Sequence, residues 1–166
     1  MKPFQTILLL SSLVLCCVNP EQNQHKIKQF FQKVTKDYPE VPVIKVNQID
    51  QTNTFVDVRE RSEWEVSHLP NAIHWKEFEK LLSDPKKREE LENKKIVAYC
   101  TAGLRSAKFI RKWKSKGLTL YNLEESIIGW THRKKPVYTP EGKKTQKVHT
   151  YSQEWNWISS EYQAVW

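Results

Sequence analysis

The chain has 166 residues, enough for one domain of ordinary size, and 39% of them are hydrophobic while 28% are charged. Those proportions exclude a disordered acidic tail, a polytopic membrane protein and a large multidomain machine. Lysine and arginine outnumber aspartate and glutamate by 27 to 19, a formal charge of +8, and such a field favours anionic partners; no RNP, zinc-finger or helix-turn-helix pattern accompanies it, so a nucleic-acid partner is not expected.

Residues 1–19 place Lys2 ahead of two apolar runs, Ile7–Leu10 and Leu13–Val18, with no further charge before Glu21. The apolar core spans about 15 residues where a membrane-crossing helix needs about 20, so the segment reads as a secretory signal. Cleavage is expected near Cys16 to Pro20, with delivery to the periplasm or cell envelope. Cys16 and Cys17 stand where a lipoprotein signal carries its lipidated cysteine, and contact with a membrane is expected only if one of them is lipidated. Beyond the signal, Cys100 is the one cysteine of the body. It has no internal disulfide partner, and in an exported protein it is either buried and inert or retained for its chemistry.

Residues 20–42 read as an N-terminal helical segment. Ile27, Phe30, Phe31 and Val34 recur at helical spacing over His25–Asp37, before Pro39 and Pro42 break the pattern. Val43–Val46 and Thr54–Val58 are short β-branched runs and predict strands, with the polar stretch Asn47–Asn53 between them. Asp84-Pro85 separates two helical patterns, Glu77–Leu82 and Lys86–Glu92. The apolar run Ile96–Tyr99 predicts a strand that feeds directly into Cys100-Thr101-Ala102-Gly103-Leu104-Arg105-Ser106. A helix follows, with Ala107, Ile110 and Trp113 on one face and Gly117 as its stop. Leu118–Leu123 predicts a further strand. Alternating strands and helices imply an α/β fold around a parallel sheet, with chemistry at the carboxyl ends of the strands. From residue 132 onward the chain is an extension with a basic start, His132–Lys135, and a turn at Pro140-Glu141-Gly142. Its last 16 residues hold five aromatics, Tyr151, Trp155, Trp157, Tyr162 and Trp166, which are expected to pack on the core.

The strand-to-helix loop carries the chemistry. A short loop entering a helix turns several backbone N–H groups inward and adds the positive end of the helix dipole, and that cradle stabilises a thiolate at Cys100. The thiolate is the nucleophilic form. Gly103 permits a backbone conformation closed to other residues, and Arg105 adds a fixed positive charge at the far edge of the loop.

Two separated motifs make the chain resemble a single-domain rhodanese. One is Phe55-Val56-Asp57-Val58-Arg59-Glu60, continuing through Glu63, Trp64 and Glu65 to His68-Leu69-Pro70-Asn71-Ala72-Ile73. The other is the loop Cys100 to Ser106, followed by Asn122-Leu123-Glu124 and Gly129-Trp130. The resemblance covers about residues 43–131 and implies a rhodanese-like five-stranded parallel sheet flanked by helices. It also implies a sulfurtransferase in which Cys100 accepts a sulfane sulfur as a persulfide and passes it on. Thr101, Ala102, Gly103, Leu104 and Arg105 would bind the substrate, a small anionic donor, and the acceptor would be a thiol or cyanide. Asp57, Arg59, Glu60 and His68 would be structural, and no metal or other cofactor is expected. Glycines common in the family before His68 and after Pro70 are Ser67 and Asn71 here, and a glycine pair after Glu124 is Glu125-Ser126. Two alternatives stay open: a non-catalytic binding module on the same scaffold, and a cysteine-dependent phosphatase or arsenate reductase. The phosphatase pattern needs five residues between cysteine and arginine, whereas four stand between Cys100 and Arg105.

Overall fold

A computed structural model describes residues 20–166, and the expected signal at 1–19, with Cys16 and Cys17, lies outside them. Helix α1 (Pro20–Asp37) begins five residues before the periodicity shows it, because Pro20 suits a first helical turn. It buries Asn23, Ile27, Phe31 and Val34, one stripe at helical spacing. Five short strands follow: β1 (Val43–Ile44), β2 (Thr54–Asp57), β3 (Ile73–His74), β4 (Ile96–Tyr99) and β5 (Leu120–Leu123). They form one sheet, all parallel, in the order β1-β5-β4-β2-β3. Helix α2 (Arg61–Val66) links β2 to β3, α3 (Trp75–Leu82) and α4 (Pro85–Glu92) link β3 to β4, and α5 (Leu104–Lys114) links β4 to β5. Helix α6 (Ser126–His132) leaves the sheet after β5.

Pleating sends successive side chains to opposite faces, and the apolar layers divide accordingly. Ile96 and Ala98 of β4 pack with Val56, Phe78, Ile110 and Trp113, whereas Val97 and Tyr99 pack with Phe55, Leu123, Ile127 and Trp130. The chemistry of the helix ends agrees with the sequence. Asp84 accepts the Lys86 and Lys87 amides at 2.9 and 3.2 Å, with Pro85 as the first residue of α4.

Several boundaries differ from the sequence reading. The 43–46 strand stops after two residues, because Val46–Gln48 turns into a 3₁₀ segment closed by the Lys45 amide on Gln48 Oε1. The last strand starts at Leu120 rather than Leu118, and α5 starts at Leu104, within the loop that was expected to run to Ser106. Helix α6 escapes periodicity since Ser126 to Thr131 are all buried and show no polar face. It is entered through Glu125 and Ser126 at φ of 57° and 53°, so these two side-chain-bearing residues take up the left-handed backbone that glycine adopts freely. Asn71 is left-handed as well, at 55°.

The C-terminal extension forms an antiparallel pair, β6 (Val137–Tyr138) with β7 (Lys144–Thr145), and a parallel pair, β8 (Lys147–His149) with β9 (Gln163–Val165). Tyr138 exchanges backbone hydrogen bonds with His68 at 2.9 Å in both directions. Val137, Val148 and Ile158 are buried in the layer that holds Phe55 and Trp130, with Trp155, Trp157 and Tyr162 packed against it. Among the described residues no helix is long and apolar enough to cross a membrane.

Candidate active site

Cys100 follows the last residue of β4 and is 2% exposed. Its sulfur accepts the Gly103 amide at 3.1 Å and faces the Ser106 hydroxyl at 3.6 Å. The loop is held from outside by its carbonyls. Ile127 and Ile128, in the first turn of α6, donate their amides to Cys100 O and Thr101 O at 3.2 and 3.3 Å, and the Cys100 amide donates to Ser126 Oγ. Asn122 of β5 donates to Gly103 O at 3.0 Å and accepts the Ser106 hydroxyl at 2.7 Å. With its carbonyls engaged outward, the loop keeps an inward amide for the sulfur, the arrangement that holds a negative charge. Gly103 sits at φ 103°, and a Cβ there would lie 2.6 Å from the Phe31 ring, so both backbone and space require glycine.

A buried carboxylate latches the other side of the loop. Glu63 of α2 accepts two hydrogen bonds from the Arg105 guanidinium, at 2.6 and 2.8 Å, and one from the Thr101 hydroxyl at 3.2 Å. It also takes the Glu60 amide at 2.9 Å. Arg105 donates as well to Thr101 Oγ1 at 2.9 Å. Burial alone would raise the Glu63 pKa, yet the Arg105 hydrogen bonds and charge outweigh it and hold the carboxyl below its ordinary value. Burial likewise opposes the Arg105 charge, but Glu63 and the neighbouring Cys100 sulfur raise its pKa overall. The Arg105 fork is therefore occupied by Glu63 in this structure.

Asp57 and Arg59 form a separate network beneath the loop, both wholly buried. Arg59 donates to Asp57 from Nε at 3.0 Å and from an NH2 nitrogen at 2.7 Å, to Ser67 O at 2.6 Å and to His149 O at 3.3 Å. The Tyr99 hydroxyl donates to Asp57 at 2.6 Å and accepts the Leu69 amide at 3.0 Å. Burial first, then the Asp57 charge, drive the Tyr99 pKa well above its ordinary value, so the phenol stays protonated and serves as a donor. The network ties β2, β4, the 67–69 turn and β8 together. Glu60 is exposed and contributes its amide to Glu63. His68 stacks on Trp64 with ring centroids 4.5 Å apart and directs Nδ1 at Leu69 O, 2.9 Å away.

Above the sulfur lies a cleft of about 220 Å³. Cys100, Thr101 and Ala102 form its buried end, Leu104 and Arg105 one wall, and Phe30, Tyr151 and Trp155 the rest. Phe30 meets Trp155 edge-on at 4.9 Å, and Trp155 packs on Trp157 at the same centroid distance. Tyr151 lies over the Arg105 guanidinium at 5.4 Å.

Comparison with known protein families matches residues 43–133 to the rhodanese-like domain. The chain belongs to the rhodanese-like family. It is 36% identical over 87 residues to the tRNA uridine(34) hydroxylase of Buchnera aphidicola subsp. Schizaphis graminum, a match covering 50% of this chain and 28% of that protein. Its identity to the tRNA uridine(34) hydroxylase of Listeria monocytogenes serotype 4a is 31% over 90 residues, covering 51% and 28% respectively. The chain thus spans little more than a quarter of these relatives. Among solved structures, the thiosulfate sulfurtransferase of Pseudomonas aeruginosa superposes with a TM-score of 0.53 at 18% identity, over 70% of this chain and 23% of that one, which shows a shared fold.

The rhodanese-like stretch supplies the loop, the Glu63 latch and the Asp57 network, but not the whole cleft. Phe30 precedes residue 43, and Tyr151 and Trp155 follow residue 133. Sequence reading gave Glu63, Ser106 and Asn122 no role of their own. Glu63 follows Glu60 at the spacing by which a helix's first turn reaches back to its cap, and Asn122 is a polar residue within a buried strand. Those two signals could have drawn attention to them.

Proposed function

We propose that the protein is a sulfurtransferase that moves a sulfane sulfur from an anionic donor, thiosulfate or a persulfide, to a thiol or cyanide through a Cys100 persulfide. The observation that carries this reading is the Cys100 sulfur, seated at the end of β4 against the Gly103 amide and open to a cleft. The Cys100 thiolate attacks the sulfane sulfur, and the donor's S–S bond breaks with its electron pair leaving on the sulfite or thiolate product. Cys100 then carries one added sulfur as an anionic persulfide. The acceptor attacks that terminal sulfur and restores the thiolate, a two-step cycle with no net proton demand on the site. The Gly103 amide supplies a preorganised donor to the charged sulfur in both half-reactions, while the Ser106 hydroxyl, donated to Asn122, holds the loop behind it. Arg105 contributes positive charge beside the loop while its pairing with Glu63 fixes the loop's shape. The expected export to the periplasm or envelope belongs to the same proposal, since it keeps a lone thiol where oxidised sulfur donors are encountered.

The decisive experiment is mass spectrometry of the purified protein before and after thiosulfate or an alkyl persulfide, followed by cyanide. One added sulfur that cyanide removes, absent in Cys100→Ser, supports transfer. Cys100-dependent hydrolysis of an aryl phosphate with no sulfur uptake would favour a phosphatase, and neither activity would favour a binding module.

A further inference from the structure

We propose that the aromatic cleft over Cys100 selects a sulfane-sulfur donor that bears a small aryl group, in preference to a compact donor without an apolar body. The inference rests on the sulfurtransferase reading and narrows its substrate class. Three independent observations support it.

The first is charge. Among the described residues lining the cleft, Arg105 is the one charged side chain, and both arms of its fork are hydrogen-bonded to Glu63. Arg59, the next cation inward, is paired with Asp57. A compact dianion such as thiosulfate, approaching an anionic sulfur, meets no unmatched positive charge there, and desolvating it without one is costly.

The second is size and lining. An apolar cavity of about 150 Å³ accepts a benzene ring, so the cleft of about 220 Å³ has room for one ring and a sulfur-bearing head. Phe30, Leu104, Tyr151 and Trp155 offer it apolar and aromatic surface.

The third is strain. Tyr151 occupies φ 74°, a left-handed backbone that a bulky residue rarely adopts, and its amide is anchored to His149 Nδ1 at 3.0 Å. The residue is 60% exposed, so packing into the core does not account for the conformation. What the strained backbone achieves is to place an aromatic ring over Arg105 at the mouth of the cleft.

With benzenethiosulfonate, the Cys100 thiolate attacks the terminal sulfur. The bond between that sulfur and the sulfonyl sulfur breaks, and benzenesulfinate leaves with the electron pair. One persulfide anion and one sulfinate anion replace one thiolate and one thiosulfonate anion, with no outside oxidant or reductant. Methanethiosulfonate reacts by the same steps with the same charge but lacks the ring.

The test compares the rate of Cys100 persulfide formation, read by mass spectrometry, for these two donors, each divided by its rate with free cysteine. The wild-type protein is expected to favour the aryl donor by roughly tenfold, the scale on which pockets discriminate small apolar groups. Tyr151→Ala and Trp155→Ala should each shrink that preference several-fold. Trp166→Ala, an exposed aromatic outside the cleft, should retain it, and thermal melting of each variant checks that it is folded. Equal normalised rates in the wild-type protein, or a preference that survives both cleft substitutions, would overturn the proposal. If neither donor nor thiosulfate leaves sulfur on Cys100, the parent reading itself has failed.

Discussion

Replacing Glu63 by alanine should unlatch the active-site loop. The carboxylate is 2% exposed and satisfies two Arg105 donors, the Thr101 hydroxyl and the Glu60 amide. Removing one member of a fully buried ion pair costs about 3–5 kcal/mol. Arg105 keeps 32% of its side chain in solvent, so water recovers part of that, and a loss of about 2–3 kcal/mol is expected. For a domain of this size that corresponds to a fall in Tm of about 4–12 °C. Urea titration gives the free energy, and the Glu63→Ala, Arg105→Ala cycle isolates the pair. Once either partner is gone the second substitution should cost little, a coupling above about 1 kcal/mol. Additive effects, or a loss under 1 kcal/mol as for an exposed pair, would refute the latch. The pH dependence has a definite sign. The folded pKa of Glu63 lies below its unfolded value, so its contribution is complete above the ordinary carboxylate range and fades as pH falls through the folded value. Glu63→Gln should flatten that acid limb.

Gly103→Ala combines left-handed backbone with a Cβ 2.6 Å from Phe31, and should cost about 2–4 kcal/mol in urea titration. Arg59→Ala strands the buried Asp57 carboxylate, and a loss of about 3–5 kcal/mol, seen as a large drop in Tm, is expected. Deleting residues 151–166 removes Trp155, Trp157, the buried Ile158 and the strand paired with β8; it should lower stability by about 3 kcal/mol or more, whereas an unchanged melting curve would show that the tail does not belong to the folded unit. The intact mass of the exported protein should lack the segment before Cys16 to Pro20, and an intact Met1 on cytoplasmic protein would count against a signal there.

The sheet was legible because its strands are apolar runs bounded by polar stretches, and β4 leads directly into the Cys100 loop. What was not legible divides by cause. Strand β3 has two residues and α6 is buried on nearly every side, so neither leaves a periodic trace. Helix α2 spans six residues, fewer than two turns. Glu63 lies 42 residues from Arg105, and Asn122 lies 19 from Gly103, pairings set by strand order rather than local pattern. The extension's aromatics could be counted in the sequence, but which of them faces the cleft depends on how the segment after β8 crosses Arg105.

That crossing shows how a family core acquires a site of its own. The loop needs only one turn of chain and its neighbours, α2, β5 and α6, to hold the sulfur. The cleft above it depends on α1 and the C-terminal extension, which meet through Phe30, Trp155 and Trp157. His149 joins the two levels. Its carbonyl accepts from Arg59 in the buried network, and its ring accepts the amide of the strained Tyr151. Burial is the leading cause that lowers the His149 pKa, with Glu63 opposing it and Arg59 and Arg105 adding to it, and the result favours the neutral ring that can accept that amide. Protonating His149 abolishes the acceptor, so acidification below the ordinary histidine range should loosen Tyr151 from Arg105. Tyrosine quenching or nuclear magnetic resonance of the His149 ring would follow it. A Tyr151 environment that stays constant while the His149 ring resonances themselves titrate would show that the His149 hydrogen bond does not hold the Tyr151 ring in place.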